Sequence, residues 1–413
     1  MLYLLGVVVI ALAILVSVSL HEAGHMLTAK AFGMKVTRYF VGFGPTVFSF
    51  RRGETEYGLK AIPLGGFCKI VGMTPQDDDV EPGDEHRAMW RYPVWKRTIV
   101  MSAGSVVHFA LAAIAIWLAA MFMGMPNKDI PNPLPAHVKV VDCILPDGAQ
   151  RECAPGDPAS PAKQAGLRDD DKILAVNGVA VADYAALTKT ARELPPGQPA
   201  TIRYERDGVT GELQVTPAAV QRKPLDDPNG AAKTVSVVGV VGPSLPPGVP
   251  ATVTYGPVDA IPATAGYTKD LAVGTYEAMK RIPEKVPALW EAVTGGERDK
   301  DTPISVVGAS RLGGEALENG VWQMLVLLFI SLNFFVGVFN LLPLLPLDGG
   351  HIAIAWFERA RSWLYGLIGR RDPGRVDYMK LMPVTYVVIL VGGAFTLLTA
   401  TADIINPITL FSR

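Results

Sequence analysis

His21-Glu22-Ala23-Gly24-His25 sets two imidazoles four residues apart with a carboxylate between them. On a helix, residues i and i+4 share a face, so the two histidines can hold one metal ion. His-Glu-x-x-His is the zinc-hydrolase motif. Glu22 projects to the side, near enough to reach water at the ion. A further carboxylate, Asp348, stands in Leu347-Asp348-Gly349-Gly350 after an apolar run broken by Pro343 and Pro346. Two imidazoles and one carboxylate leave a fourth position open on tetrahedral zinc, as catalytic sites do. Zinc polarises a carbonyl and acidifies water. Glu22 would take a proton from that water and pass it to a leaving amine. Asn340 could hold substrate backbone or a developing oxyanion; an interhelical hydrogen bond is its other reading. His351 can support the carboxylate from the following turn. Asp348 could instead cap a helix.

These residues need elements that bring them together. Leu2 to Leu20 carries no charge, so the motif falls near the end of a membrane span reaching about Thr28, long enough for a core of roughly 30 Å. With no basic n-region and no A-x-A-like cleavage site, it reads as a retained span. An ordinary anchor with interfacial polar residues would not need histidines at ligand spacing. Three more spans are expected: Ile99 to about Met123, Val321 to about Leu342, and Leu381 to about Ala402. His108 lies in the second, where a packed, hydrogen-bonded role is its plain reading. Pro343 and Pro346 end the third span and leave an extended run. Basic residues crowd Lys30 to Arg97 and Arg359 to Lys380, which puts both loops in the cytoplasm. Both termini and residues 126–242 are then extracytoplasmic, in the plasma membrane of a cell. His21 and Asp348 both reach the cytoplasmic third of the bilayer at about 1.5 Å per helical residue.

Composition agrees with a mixed membrane and water-exposed chain: 49 % of 413 residues are apolar and 19 % charged. The formal net charge of −1 gives no bias toward nucleic acid. Three cysteines, Cys68, Cys143 and Cys153, exclude a finger-type zinc site. Cys143 and Cys153 flank a turn-rich loop outside the cytoplasm, where a disulfide or two free thiols are both open.

Between the first two spans, residues 36–71 form a membrane-associated β-sheet, with strands on either side of Gly42-Phe43-Gly44-Pro45 and a turn at Arg51-Arg52-Gly53-Glu54. Such apolar irregular backbone is tolerated at depth beside protein or a cavity, which places it next to the metal. Its edge could receive an extended substrate, or it is a small peripheral sheet. Gln76 to Glu85 is an acidic, turn-rich loop, and Arg87 to Arg97 an interfacial segment. Within 126–242, Ser160 to Leu167 reads as a small-residue helix. Asp171-Lys172-Ile173 leads to an Asn177-Gly178 turn, a helix runs from Tyr184 to about Glu193, and strands 200–206 and 211–215 flank Asp207-Gly208. This order resembles a PDZ domain of bacterial proteases, with Asp170 where Gly is usual. Residues 243–320 are a juxtamembrane linker with an amphipathic helix at Thr275 to Val293; Thr302 to Gly308 is unassigned. Domain limits are 1–125, 126–242, 243–320 and 321–413. The fold class is a polytopic α-helical membrane protein with four spans, a membrane-associated β-sheet and an extracytoplasmic α+β PDZ domain.

The His21-Glu22-x-x-His25 span, Gly42-Phe43-Gly44-Pro45, the PDZ insert and Asn340…Pro343…Leu347-Asp348-Gly349-Gly350, in this order, resemble the site-2 proteases, intramembrane zinc metalloproteases. The resemblance covers nearly the whole chain, and a single PDZ is similar to Gram-positive and actinobacterial members. It implies zinc (Zn2+) on His21, His25 and Asp348, with Glu22 as base. It also implies single-pass membrane substrates such as anti-sigma factors, trimmed first by an upstream extracytoplasmic protease. Two positions depart from the family pattern. The second span reads Gly104-Ser105-Val106-Val107-His108 rather than Gly-Pro-x-x-Asn. Phe335 stands where many Gram-negative members carry a second Asn, with Asn333 nearby. A non-catalytic membrane-anchored PDZ scaffold is the alternative, and an intact Glu22 argues against it. A transporter would call for inverted repeats, which the sequence lacks.

Overall fold

Helix α1 (Leu2–Ala31) carries the histidine motif in its last third in the computed structural model, which describes residues 1–74, 76–77, 80–145, 152–222, 231–242 and 244–410. Its apolar sequence, of mean hydropathy 2.7, satisfies every backbone group internally, as a span in lipid must. Strands β1 (Val36–Arg52) and β2 (Thr55–Ile70) follow. The expected break at 42–45 is a bend within β1, marked by positive φ at Gly42 and Gly44 and a shift in register. Residues 38–41 lie opposite both 66–69 and 56–59, and 46–52 lie opposite 55–60. The start of β1 is therefore a central strand. Val36 and Ile70 pack with Met26, Met34 and Val100, whereas Phe43, Val47, Phe48 and Phe50 are exposed. Asp78 and Asp79 of the acidic stretch lie outside the described residues.

Helix α2 (Val94–Phe122) starts earlier than hydropathy suggested. Its first turn accommodates two cations: Lys96 sits over the Phe32, Tyr92 and Trp95 rings, and Arg97 is buried against Glu358 at 3.2 Å. Paired or stacked, these charges do not end the helix.

Gly124–Val253 is one of two compact units; Met1–Met123 and Thr254–Arg413 make the other. The smaller unit contains β3 (Met125–Pro126), β4 (Lys139–Val140), α3 (Pro161–Ala165), β5 (Lys172–Val176), β6 (Val179–Ala180) and α4 (Tyr184–Glu193). Then come β7 (Ala200–Arg206), β8 (Val209–Val215), β9 (Ala218–Arg222), β10 (Lys233–Val237), β11 (Val240–Val241) and β12 (Thr252–Val253). A sheet of order β6-β5-β7-β8 is joined by the pairs β9–β10, β4–β11 and β3–β12. Ser160 and Asp183 cap α3 and α4 by accepting from Lys163 N–H and Ala186 N–H. Val138, Ile173, Leu187, Ile202 and Val215 fill the core. Asp170 has φ 68°, a left-handed conformation that favours Gly and that Asp tolerates. Cys143 and Cys153 are disulfide-bonded; residues 146–151 of the loop between them lie outside the described residues.

In the larger unit, α5 (Ala260–Val293) begins well before the expected Thr275 and continues through Pro283 and Pro287. It packs on α2 and on the spans that follow, and this tertiary support outweighs the two missing N–H groups. Helix α6 (Val306–Glu318) was not legible in the sequence. Gly308, Gly313 and Gly314 weaken its propensity, but Gly313 and Gly314 let it lie against α1, where a Cβ on Gly313 would sit 2.4 Å from Ile10, and Gly308 makes room for Asp403. Helices α7 (Gln323–Asn340), α8 (Asp348–Leu367) and α9 (Met382–Ile405) complete the unit. Among the described residues four helices are long and apolar enough to cross a membrane: α1, α2, α7 and the segment Tyr378–Ile405 containing α9. Residues 341–347 are not extended as expected. Leu344 N–H bonds Leu342 O, and Leu347 N–H bonds Leu344 O, so backbone freed by the two prolines is satisfied in consecutive tight turns.

Candidate metal centre

Helix α1 presents His21 and His25 from one buried face, and α8 presents Asp348 as its first residue. The carboxylate Oδ2 lies 3.4 Å from His21 Nε2 and 3.3 Å from His25 Nε2. The two Nε2 atoms are 3.1 Å apart. All three donor atoms fall within 4.8 Å of one another, a group that could hold one metal ion. Asp348 Oδ2 is buried and makes no hydrogen bond. An anionic oxygen in this state, facing two imidazole nitrogens, suits a cation, and the mixed N/O donor set suits zinc.

The neighbouring elements set these atoms. His25 Nδ1 lies 2.7 Å from Val100 O on α2. A carbonyl accepts only, so Nδ1 carries the proton and Nε2 turns its lone pair inward. Helix α2 passes close: a Cβ on Gly104 would lie 2.4 Å from His21 Cε1 and 2.5 Å from His25 Nε2. On α8, Cβ atoms at Gly349 and Gly350 would strike Leu341 O and Leu345 N at 2.2 and 2.6 Å. The glycine pair thus lets α8 start tight against the turns that follow α7. Asp348 does not cap α8; that position belongs to Leu347.

Glu22 is off the ligand face and half-buried. A Cβ on Gly66 of β2 would stand 3.3 Å from Glu22 Cγ, so the sheet lies beside the motif. Tyr39 donates to Ser19 O at 2.8 Å and ties β1 to the same helix. Burial pushes the Cys68 thiol up to about 12. Asn340 ends α7, half-buried, with no side-chain hydrogen bond among the described residues. The interhelical bond considered for it is made instead by Asn333, whose Oδ1 lies 2.8 Å from His108 Nδ1. His108, where the family pattern has Asn, thus meets Asn333, two residues before Phe335. His108 also packs against His21, with ring centroids 5.0 Å apart. His351 stacks on Tyr378 at 5.7 Å. Sequence reasoning passed over Val100 and gave Gly104 no part in the metal centre. A backbone carbonyl carries no side-chain signal, and a glycine in an apolar helix is common.

Peptidase family M50 matches residues 9–365. The chain is 45 % identical over 415 residues to zinc metalloprotease Rip1 of Mycolicibacterium smegmatis, covering 100 % of both chains. It is 41 % identical over 413 residues to zinc metalloprotease Rip1 of Mycobacterium tuberculosis strain H37Rv, again covering 100 % of both. A putative zinc metalloprotease of Brucella suis is 29 % identical over 369 residues, 87 % of each chain. A family match across most of the chain, joined to full-length similarity to zinc metalloproteases and to four apolar helices, leads to one conclusion: this chain belongs to peptidase family M50, the site-2 proteases, and is a multi-pass membrane zinc metalloendopeptidase.

Proposed function

We propose that His21, His25 and Asp348 hold the zinc and that Glu22 is the general base in peptide-bond hydrolysis within the bilayer. The observation that carries this is the convergence of the three donor atoms, from the ends of two separate helices, within 4.8 Å. When bound, zinc supplies Lewis-acid polarisation of the scissile carbonyl and acidifies water. Glu22 takes the proton from the attacking water and delivers it to the leaving amine. The close approach of Gly66 of β2 supports a position for the Glu22 side chain at the side of the ligand face. Asn340, with its amide free of other bonds among the described residues, orients substrate backbone at the end of α7.

The substrates are single-pass membrane proteins, anti-sigma factors among them, cut first by an extracytoplasmic protease. A transmembrane helix must unwind before cleavage, and helix-breaking residues at the cut site lower that barrier. The apolar β1–β2 sheet supports a role in receiving the unwound strand by edge pairing. Residues 126–242 act as an extracytoplasmic PDZ domain, and the order α3, β5, β6, α4, β7, β8 supports this assignment. Basic loops at 30–97 and 359–380 support a topology with both termini outside the cytoplasm.

The test compares wild type and Glu22→Gln, each in lipid with a truncated single-pass substrate, while bound zinc is counted. Cleavage by wild type, abolished in Glu22→Gln at equal zinc, is expected. Full zinc without cleavage of any trimmed substrate would favour a scaffold, and folded wild type that takes up no zinc would sink the ligand set.

A further inference from the structure

His25 and His21 are supported differently. Val100 O fixes the proton of His25 on Nδ1. His21 also directs Nε2 toward the ligand cluster, so its proton belongs on Nδ1, and that atom is buried with no hydrogen bond. An unsatisfied buried donor is destabilising, and it leaves the tautomer of a metal ligand unspecified.

The neighbouring ring offers what Nδ1 lacks. Asn333 Nδ2 donates to Phe329 O at 2.9 Å, which orients the amide and leaves Oδ1 as an acceptor. His108 Nδ1, 2.8 Å from that Oδ1, must therefore be a donor. In a neutral imidazole this leaves the lone pair on Nε2. Both residues are buried, His108 at 1 % and Asn333 at 0 % exposure. The His108 and His21 rings are 5.0 Å apart between centroids and inclined by 42°. Two imidazoles joined edge to edge by an N–H···N bond of ~2.9 Å also have centroids about 5 Å apart. A bond between them calls for rotation of the rings about χ2, a broad torsion.

We propose that His108 is a positioning residue for His21: its Nε2 accepts the His21 Nδ1 proton and, through Asn333, anchors that ligand to α7. Every bond in the chain runs one way, from His21 to His108, to Asn333, to the Phe329 carbonyl. It is the side-chain counterpart of the His25–Val100 bond. The inference rests on His21 being a zinc ligand.

The experiment measures zinc affinity of the full-length, detergent-solubilised protein by chelator competition, with thermal unfolding of the zinc-free form as the check on folding. His108→Leu is expected to bind zinc about 10–100-fold more weakly, the usual effect of losing a ligand's hydrogen-bond partner. His108→Gln presents one acceptor and one donor with the same polarity and is expected to recover most of the loss. Asn333→Leu should weaken zinc in the same direction, and adding it to His108→Leu should cause no further loss, since the two act as one unit. Wild-type affinity in a folded His108→Leu protein, or a His108→Gln protein as weak as His108→Leu, would overturn the inference. If His108→Leu does not fold, the Gln and Asn333 variants decide. His21→Ala separates the two levels. Unchanged zinc binding there removes the ligand assignment itself, whereas loss there with no effect at His108 removes only the positioning role.

Discussion

Gly66 of β2 lies directly against Glu22 of α1: a Cβ built on Gly66 would stand 3.3 Å from Glu22 Cγ and 2.9 Å from Phe40 O. The sheet thus forms one wall beside the carboxylate proposed as the general base. Gly66→Val is expected to lower kcat at least tenfold by displacing Glu22, because small misplacements of a reacting group are felt strongly. Bound zinc should stay at the wild-type level, since Gly66 contacts no ligand. Turnover measured with zinc content on one preparation checks this, and loss of zinc along with activity would contradict it.

Gly104 makes the opposite prediction. Its added Cβ meets His21 Nδ1 and His25 Nε2, each at 2.5 Å. Gly104→Ala should weaken zinc binding about tenfold or more, because packed helices cannot move apart freely and the rings must shift instead. Chelator competition reads the effect directly. Unaltered affinity would mean that the α1–α2 crossing yields at low energy.

Arg298 and Asp403 form a buried pair at 2.7 Å, with side chains 2 % and 1 % exposed. Asp403 also accepts Ser305 N–H at 2.6 Å at the start of α6. Replacing Asp403 by Leu leaves the guanidinium bonded to Thr302 Oγ1, Pro303 O and Asn406 O but without its counter-charge, and a loss of about 3 kcal/mol is expected. Combining it with Arg298→Met should restore part of that loss. Unfolding midpoints in one detergent compare the three forms; equal midpoints for Asp403→Leu and wild type would refute the role.

Cys68 should be a poor nucleophile. With its thiol pushed up to about 12 by burial, the thiolate fraction at pH 8 is on the order of 10⁻⁴. Labelling by a maleimide is expected to be slow at pH 8 and to accelerate steeply as pH approaches that value. Fast labelling of folded protein at neutral pH would show that the sheet opens around Glu22.

The cation–carboxylate pairs beside the sheet carry a pH dependence of known sign. The Arg87 guanidinium, bonded to both oxygens of Glu54, holds that carboxyl below its ordinary value. Its contribution is complete above the unfolded-state value and is lost as pH falls through the lower folded one. Hydrogen bonds from Lys35 to Asp84, then to Glu81, raise the ammonium. That contribution is lost only as pH rises through the raised value. Amide protection near residues 54 and 87, corrected for the intrinsic pH dependence of exchange, should fall below the ordinary carboxylate range and be flat through neutrality; protection unchanged into strong acid would refute the coupling. These pairs are partly exposed, so the effect is small.

Much of the architecture was legible because it depends on patterns within one segment. The four apolar runs mark the spans to within a few residues, and Asn177-Gly178 and Asp207-Gly208 mark the turns of the smaller unit, both with positive φ. Helix α6 escaped because its glycines, poor helix formers, are there to fit α1 and the Asp403 carboxylate. The early start of α2 escaped because Arg97 is made tolerable by Glu358, a residue far along the chain.

By itself the sequence determined the donor types: two imidazoles at helical spacing with a carboxylate between them, and a distant aspartate before two glycines. Tertiary structure decided how those donors are held. It set Val100 O on His25, Gly104 against both rings, Gly66 against Glu22 and the His108–Asn333 pair beside His21. The reason is physical. Spacing along a helix follows from its own repeat, whereas hydrogen bonds and close approaches between helices depend on where separate segments cross, which no single segment encodes.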